Sequence, residues 1–568
     1  MQKKVKGIFL TELNFLRFIF NIFFLNKKYC VLDTYSYLFN HGGYLKNIVN
    51  KLHKKQFLEI IDDHSNEIPY LDTGDCKRLT DIFAVSEDWM NEMFNMQKKG
   101  YYGNSIRHII SSRTYNLYER CIDLFHLSKI VSKPRLNRLY KSFFLFRYNI
   151  GTKKNHYESI TTYFLNFFLL LISYAHFLYW LVSHIKIFYI RENYRFAADY
   201  LGGSRDIKFW NYLNPKKEKT LIVVRDEYTK NQFGYLINDY KVVYDDDGVF
   251  GFYLAIKYFF IFIKDSLTLY IENINIPPDY FRQICFLPYK KIKYKAFFNK
   301  FNCKFFWGRD DYNYQHIIRS QELRKNGGVS IGCNHGIESI NSLSHILRQL
   351  DFDYYYTHGI FQYLNTYKKY WPKNMVVKGI GSFFSNPYQH QKIKESVGKN
   401  VAIIIAPSFH QDLIFKTVLK LSSSFPNLIF WISTKDKHRH QSGDFSLKYQ
   451  NLLKTNKNIK ENTKDVYDLI MDCKYIFSES STLLAEAVYF EKVALCYDPE
   501  PKKFKYLYYR NFPELVFNDV DEVILRITET QNKSESYYED RNLIELISKT
   551  KDHPWNIIKK DMMLIENI

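Results

Sequence analysis

The sequence predicts an α/β fold built from parallel sheets, and three observations predict it. Short apolar, β-branched runs recur from Lys217 onward: TLIVV at 220–224, VSIGC at 329–333, DYYYT at 353–357, MVVKG at 375–379, VAIIIAP at 401–407, LIFWIST at 428–434, YIFS at 475–478 and VALCY at 493–497. Helical stretches lie between most of these runs, and runs of this kind alternating with helices belong to parallel sheets covered on both faces. A stretch rich in Gly, Ser, Asn and Pro, Gly379 to Gln391, divides the series and reads as the linker between two such domains. At 568 residues the chain is long enough for two or three domains.

The region before this series is different. The first 28 residues, MQKKVKGIFLTELNFLRFIFNIFFLNKK, have the basic start and apolar middle of a signal peptide. Glu12 and Arg17 interrupt the apolar run, however, and no small-x-small cleavage site follows. A helix on a membrane surface and a core helix are the readings left. KYCVLDTYS then reads as a strand, His41 to Lys54 as a helix, and Asp88 to Arg147 as helical, with apolar residues at i, i+3, i+4 spacing. Ser159 to Ile185 contains no Asp, Glu, Lys or Arg, and a membrane span needs about 20 such residues. Lys153 and Lys154 precede it; Lys186, Arg191 and Arg195 follow it. Asn166, Ser173, His176 and Ser183 weaken the case for a span. Membrane association is expected, either across the bilayer or pressed into one leaflet; a wholly buried helix is the alternative.

Charge and composition narrow the partners. A formal net charge of +21 attracts nucleic acid, anionic lipid or anionic sugar donors. The basic residues are spread in twos and threes, and neither a zinc-finger spacing nor an aromatic RNP-type motif is present, so nucleic acid is not expected as a partner. Tyr and Phe, at 48 each, suit a membrane interface, although an AT-rich genome gives the same bias. The cysteines, Cys30, Cys76, Cys121, Cys285, Cys303, Cys333, Cys473 and Cys496, include no C-x-x-C pair. Several lie in apolar runs, as buried free thiols do, which fits a reducing cytoplasm.

The sharpest local signal is Asp465 to Pro501, DVYDLIMDCKYIFSESSTLLAEAVYFEKVALCYDPEP. A helix leads to a strand that ends in Ser478-Glu479-Ser480-Ser481-Thr482, where a second helix starts. Small hydroxyl residues at a helix N-terminus leave backbone N–H groups free, and the helix dipole adds partial positive charge, so the place suits phosphate. Glu486, one turn in, is expected at the crevice edge, where a carboxylate can accept hydrogen bonds from ribose hydroxyls. The plainer reading is N-capping by Ser480 or Ser481, with Glu486 solvated.

This segment resembles the donor-binding half of GT-B glycosyltransferases, among them polysaccharide transferases and CDP-glycerol glycerophosphotransferases. In those families a strand, a Ser–Ser pair, a Glu-Ala pair and a Gly-Lys-Pro turn follow one another. Here they stand as MDCKYIFSESSTLLAEAVYFEKVALCY, with Glu491-Lys492-Val493 in place of Gly-Lys-Pro. Upstream, WGRDDYNYQHIIRSQELRKNGGVSIGCNHGIESIN at 307–341 resembles the end of the N-terminal domain in surface-carbohydrate biosynthesis proteins, with Asn334-His335-Gly336 where they have Gln-His-Gly. DYYYTHGIFQYLNTYKKYWPKNMVVKGIGSFF resembles their crossing into the second domain. The likeness spans about Arg309 to Pro501.

The resemblance implies the GT-B arrangement, two Rossmann-like domains facing across a cleft, with a helical and partly hydrophobic N-terminal elaboration. The expected division is 1–200 for an α/β start with a membrane-associating insertion, 201–385 for the rest of the N-terminal, acceptor-side domain, and 386–568 for the donor domain. The implied activity is transfer of a sugar from a nucleotide-activated donor to a growing bacterial capsule, O-antigen or teichoic-type chain, at the cytoplasmic face of the inner membrane, with a polysaccharide or lipid-linked acceptor. Transfer of glycerol phosphate from CDP-glycerol, a UDP-sugar epimerase and a non-catalytic scaffold that keeps the fold are the alternatives. His335, just past a strand's carboxyl end, is the candidate catalytic base; it could instead hold a donor phosphate or be a plain loop histidine. Ser478, Ser480, Ser481, Thr482 and Glu486 are candidate donor ligands. Lys435 and His438 with Arg439, in WISTKDKHRH, are candidates for the donor phosphates, against the alternative of a solvated basic loop. His358-Gly359 repeats the dipeptide at a less telling place. Asp310 and Asp311 are adjacent, not alternate as in a D-x-D metal site, and no convincing strand precedes them. Basic side chains and helix dipoles can carry the leaving diphosphate, so neither metal nor cofactor is expected; the nucleotide-sugar is a substrate.

Overall fold

Two parallel sheets, one of seven strands and one of six, organise the described residues. The computed structural model describes residues 100–112, 160–200 and, with breaks, 203–567. His335, Lys435, His438, Arg439, Ser480, Asp310 and Asp311 lie outside the described residues, as do the expected N-terminal helix and the strand KYCVLDTYS.

In the first domain a helical segment at 103–112 packs into the core, and the chain then runs through a long helix, α1 (Ile160–His184), β1 (Glu192–Asp199), α2 (Ser204–Leu213), β2 (Thr220–Val224), β3 (Lys241–Tyr244), α3 (Phe252–Asn273), α4 (Pro278–Ile284), α5 (Leu287–Lys300), β4 (Phe301–Gly308), α6 (Gln315–Lys325), β5 (Val329–Cys333), β6 (Tyr354–Thr357) and β7 (Val376–Gly379). Its strand order is β3-β2-β1-β4-β5-β6-β7, all parallel. The second domain runs α7 (Pro387–Glu395), β8 (Asn400–Ile405), α8 (Gln411–Ser424), β9 (Phe430–Thr434), α9 (Asp444–Thr455), β10 (Ile459–Glu461), α10 (Val466–Asp472), β11 (Cys473–Ser478), α11 (Thr482–Tyr489), β12 (Val493–Tyr497), β13 (Val516–Phe517) and α12 (Val520–Thr530). Its order is β10-β9-β8-β11-β12-β13, again all parallel. Both sheets thus start in the middle, run outward one way, and return to pair the next strand with the first. This is the doubly wound pattern, with the ligand crevice expected between β1 and β4 in one sheet and between β8 and β11 in the other.

The strands are buried because both faces are covered: β2, β8, β11 and β12 are buried along their whole length. Cys285, Cys303, Cys333, Cys473 and Cys496 are free and buried.

Two expectations are corrected, and a third is filled in. β1, the central strand of the first sheet, ends at Asp199, so the segment expected as the α/β start of the N-terminal domain and the segment expected as its remainder share one sheet. A strand, β4, does precede Asp310. The expected linker at 379–391 is partly helical: the Asn386 side chain accepts the Gln389 N–H, the Gln389 side chain answers the Asn386 N–H, and Pro387 occupies the first turn, so a capping box starts α7 inside it.

The second domain also does not keep the chain to its end. The last helix, α13 (Pro554–Glu566), crosses back to the first domain. Trp555, Ile558 and Met562 join the core around Phe209, Trp210 and Trp307. Tyr356 Oη donates to Asp561 Oδ2 at 2.9 Å, and Lys378 Nζ binds Asp561 Oδ1 at 2.7 Å. The reason is apolar area: one face of α13 is too hydrophobic to leave in water, and the first sheet's α2 side supplies the cover.

The turn at Glu491-Lys492-Val493 keeps the backbone that a glycine would take. Glu491 has φ 58°, the one non-glycine residue with positive φ among the described residues. Lys492 is buried, and its ammonium donates to Ser396 Oγ at 2.9 Å; burial pushes its pKa down to about 8. A left-handed non-glycine residue costs roughly 1–2 kcal/mol. Glu491→Gly is therefore expected to stabilise the fold by about 1 kcal/mol, read as a rise in the denaturation midpoint at unchanged slope; a fall would show that the Glu491–Lys549 ion pair at 3.3 Å outweighs the backbone term.

Candidate functional site

The loop after β5 of the first sheet meets the helix that follows β11 of the second. β5 ends at Cys333 and hands the chain to Asn334, His335 and Gly336. Asn334 is fixed on two sides: its Nδ2 donates to Gly336 O at 2.9 Å, and its Oδ1 lies 3.1 Å from His358 Nδ1. His358 is fully buried against Phe383 and Phe384, so it shapes the loop that carries His335 rather than facing the crevice. The loop then reaches the second domain. Ile337 N–H donates to Thr482 Oγ1 at 3.0 Å, and a Cβ on Gly336 would stand 2.4 Å from the same oxygen. Glycine is required here by close approach, not by φ.

Thr482 opens α11, at the switch point between β8 and β11. Ser481 is its N-cap, with Leu483 N–H donating to Ser481 Oγ at 3.3 Å, and Tyr509 Oη donates to Ser481 O. α11 starts where the sequence placed a helix N-terminus, and Ser481 caps it. Ser478 is different. It is fully buried, and its hydroxyl donates to Ile404 O at 2.9 Å, tying β11 to β8. Its assignment as a donor ligand is corrected: it points into the sheet because it is the last strand residue, not the first loop residue.

Glu486 does not lie at the crevice edge, and that expectation is also corrected. It is 1 % exposed. Ser382 Oγ donates to its Oε1 at 2.6 Å and Tyr467 Oη to the same oxygen at 2.7 Å. Burial pushes its pKa up to about 7, against the lowering pull of Ser382, Tyr467 and the Arg205 charge. Arg205, from the first turn of α2, lies with its guanidinium 5.1 Å from the Tyr467 ring centroid. Its Nη2 binds Asp465 Oδ2 at 2.8 Å and its Nε the same oxygen at 3.1 Å. Burial is the largest effect on the guanidinium and works against its charge, but the hydrogen bond and charge of Asp465, with Tyr467 and Glu486, together raise the pKa. Asp465 also caps α10 by accepting Tyr467 N–H. One chain of contacts thus links α2 of the first domain, the 380–386 connection and α10–α11 of the second.

Across the first sheet's switch point lies a second charged group. Asp199, the last residue of β1 and 1 % exposed, accepts from Arg225, which follows β2, and lies 3.6 Å from Arg319 of α6. These residues, with Asp245 of the β3 end, line a shallow, largely filled recess. Sequence reasoning passed over Arg205, Arg225 and Arg319. Arg225 stands directly after TLIVV, at the carboxyl end where ligands are sought, and that placement was the available signal. Among the described residues no group of three or more His, Cys, Asp or Glu side chains is placed to hold a metal ion.

No family model and no curated sequence matches the chain. Among solved structures it is similar to UDP-GlcNAc 2-epimerase from Neisseria meningitidis bound to UDP-GlcNAc (9% identity, TM-score 0.39, covering 66% of this chain and 99% of that one). It is also similar to the wall teichoic acid polymerase TagF (9%, 0.38, 66% and 89%) and to a glycosyltransferase from Rickettsia africae (11%, 0.37, 66% and 99%). The fold assignment itself rests on the strand orders and crossovers described above.

The buried carboxylate gives two expectations. Glu486→Ala leaves the Ser382 and Tyr467 hydroxyls without their acceptor and should cost about 1–3 kcal/mol of stability in chemical denaturation. Because the folded pKa lies above the ordinary 4.5, the native state binds the extra proton between about pH 4.5 and 7. Its contribution is present at low pH and is lost as pH rises through that window. Glu486→Gln should flatten that part of the stability profile; an unchanged profile would assign the pH dependence to other groups.

Proposed function

We propose that the chain is a glycosyltransferase that moves a sugar from a nucleotide-activated donor to a growing surface polysaccharide, bacterial in type, held at the cytoplasmic face of the inner membrane. The observation that carries this reading is the hydrogen bond from Ile337 N–H to Thr482 Oγ1. It brings the loop that carries His335 in sequence to the N-terminus of α11, which supports a base and an anion site in one crevice. In that crevice the α11 N-terminus, around Ser480, Ser481 and Thr482, receives the donor diphosphate through backbone N–H groups and the helix dipole. The charge that develops on the leaving phosphate is met by fixed dipoles and basic side chains, with Lys435 and His438 on the β9 loop as contributors and no metal or cofactor in the step. His335 takes the proton from the acceptor hydroxyl as the new bond forms. Glu486 acts from below by positioning Tyr467 and, through it, Arg205. The acceptor, a polysaccharide or lipid-linked chain, approaches from the first domain.

Titration calorimetry with UDP-, GDP-, CMP- and CDP-activated sugars and with CDP-glycerol tests the donor. One nucleotide class should bind; binding of none makes the chain a scaffold, and turnover of CDP-glycerol alone makes it a glycerophosphotransferase. His335→Ala should lower turnover about 10²–10⁴-fold with donor affinity nearly intact; a parallel fall in affinity would make it a phosphate ligand instead. Gly336→Ala, which drives a methyl group into Thr482, should lower turnover while the fold's denaturation midpoint changes little. Full activity in that variant would separate the loop from the chemistry.

A further inference from the structure

We infer that α1 and α3 together form a membrane-lying ledge that enters one leaflet in plane, and that its partner is an anionic lipid surface. The inference shares the membrane location with the proposed function and does not depend on the chemistry.

One side of α1 is fastened to the first domain. Asn166 Nδ2 donates to the Ile274 and Ile276 carbonyls at 2.9 and 2.8 Å. Ser173 Oγ donates to Cys285 O at 2.8 Å. Phe177 stacks on Phe262 of α3 with ring centroids 3.8 Å apart, and Trp180 Nε1 donates to Asp246 Oδ1 at 2.8 Å. Of the polar residues that weaken a spanning reading, Asn166 and Ser173 face the protein, while Ser183 is exposed and turns its hydroxyl back onto the Tyr179 carbonyl of its own helix. A helix held in this way along its length cannot cross a bilayer without giving up these bonds and the core they belong to.

The other side of α1 is apolar and open. Phe164 is 70 % exposed, Phe168 59 % and Val182 71 %. The segment from Thr162 to His184 is long and apolar enough to cross a membrane, yet only 39% of its most apolar window is buried. The adjoining α3 continues the surface with Tyr253, Ile256, Phe260, Leu267 and Ile271 exposed. Beyond α1, Ile187, Phe188 and Ile190 are 83–91 % exposed. This patch is far more than scattered surface hydrophobics.

Charge selects the partner. α1 carries no formal charge, while Lys186 and Arg191 bracket the exposed Ile187–Ile190 tip, and Lys257 and Lys264 lie exposed on α3. Glu272, at the far end of α3, is the opposing charge on that helix's exposed side. Long basic side chains beside an apolar surface can keep their heads at the lipid phosphates while the surface enters the acyl region. An excess of +21 on the whole chain adds long-range attraction. A second copy of this chain would bring the same cations face to face, which disfavours a dimer here.

Vesicle flotation of the full chain tests the proposal. Vesicles containing phosphatidylglycerol should carry the protein; pure phosphatidylcholine should carry much less, and high salt should narrow the difference. Phe168→Asp on α1 and Phe260→Asp on α3 replace exposed side chains, so folding is spared, and each should lower partitioning about tenfold or more. Nitroxide labels on Phe164→Cys and Val182→Cys, read against the labelled wild type, should report nearly equal depths. These sites are 18 residues apart, about 27 Å along a helix, so a depth difference approaching that value would show a span and overturn the in-plane reading. Absence of vesicle binding by the folded protein, or a detergent-free dimer that Phe168→Asp dissociates, would also overturn it. Neither result would bear on donor calorimetry.

Discussion

The arrangement of the two domains depends on one buried carboxylate. Glu486 sits with essentially no access to water and accepts two hydrogen bonds on a single oxygen. A buried acid is costly unless its partners are supplied, and here they come from separate parts of the chain: Ser382 from the interdomain connection and Tyr467 from α10. Arg205 of the first domain then lies over the Tyr467 ring and grips Asp465. Satisfying Glu486 thus fixes the connection, the start of α10 and the approach of α2 at once. The raised pKa is the electrostatic sign of the same constraint: burial outweighs the stabilising bonds and the nearby guanidinium.

This explains why the site is only partly legible in the sequence. The runs VSIGC, VAIIIAP, YIFS and VALCY appear as β5, β8, β11 and β12 with boundaries close to those expected, because strands buried on both faces are uninterrupted apolar runs. The helix start at Ser481 was readable for the same kind of reason, since small hydroxyl residues favour caps. β1 was missed: ENYRFAAD opens with charge, and only its second half is buried. β4 was missed because FNCKFFWG mixes Asn and Lys into an aromatic strand. Missing β1 left the centre of the first sheet unassigned. It also hid Asp199 and the two arginines around it, which become a group only when β1, β2 and α6 are brought together.

Ser478 and Glu486 show the limit more sharply. Position in a motif places a residue along the chain, while its side-chain direction depends on where the strand stops and the helix starts. Ser478 is the last residue of β11, so its hydroxyl turns to the neighbouring strand. Glu486 lies on the buried side of α11, among Leu484, Ala485, Ala487 and Val488, all buried. An acid there is out of keeping with its neighbours, and the hydrogen bonds that reconcile it come from residues about 20 and 100 positions away. The helical period of three to four residues could not reveal them.

The chain passes between the domains twice, once at 380–386 and again before α13, and both passages meet at one backbone group. His358 O accepts from Gly381 N at 3.0 Å and from Ser548 N at 2.9 Å. Gly381 takes φ +82°, and a side chain there would run into Tyr489 and the Ser548 carbonyl. The same His358 holds Asn334 through its ring, so the passages and the loop bearing His335 share an anchor. A rotation of the second domain about these two strands of chain would leave α13 and the ledge of α1 and α3 with the first domain, since their cores are continuous with its sheet. The contacts that such a rotation breaks are those that line the crevice: Ile337 with Thr482 and Arg205 with Asp465. One is a neutral hydrogen bond and the other a partly exposed ion pair, each worth about 1 kcal/mol. The contacts that line the crevice are thus weaker and nearer solvent than those at the two passages of the chain.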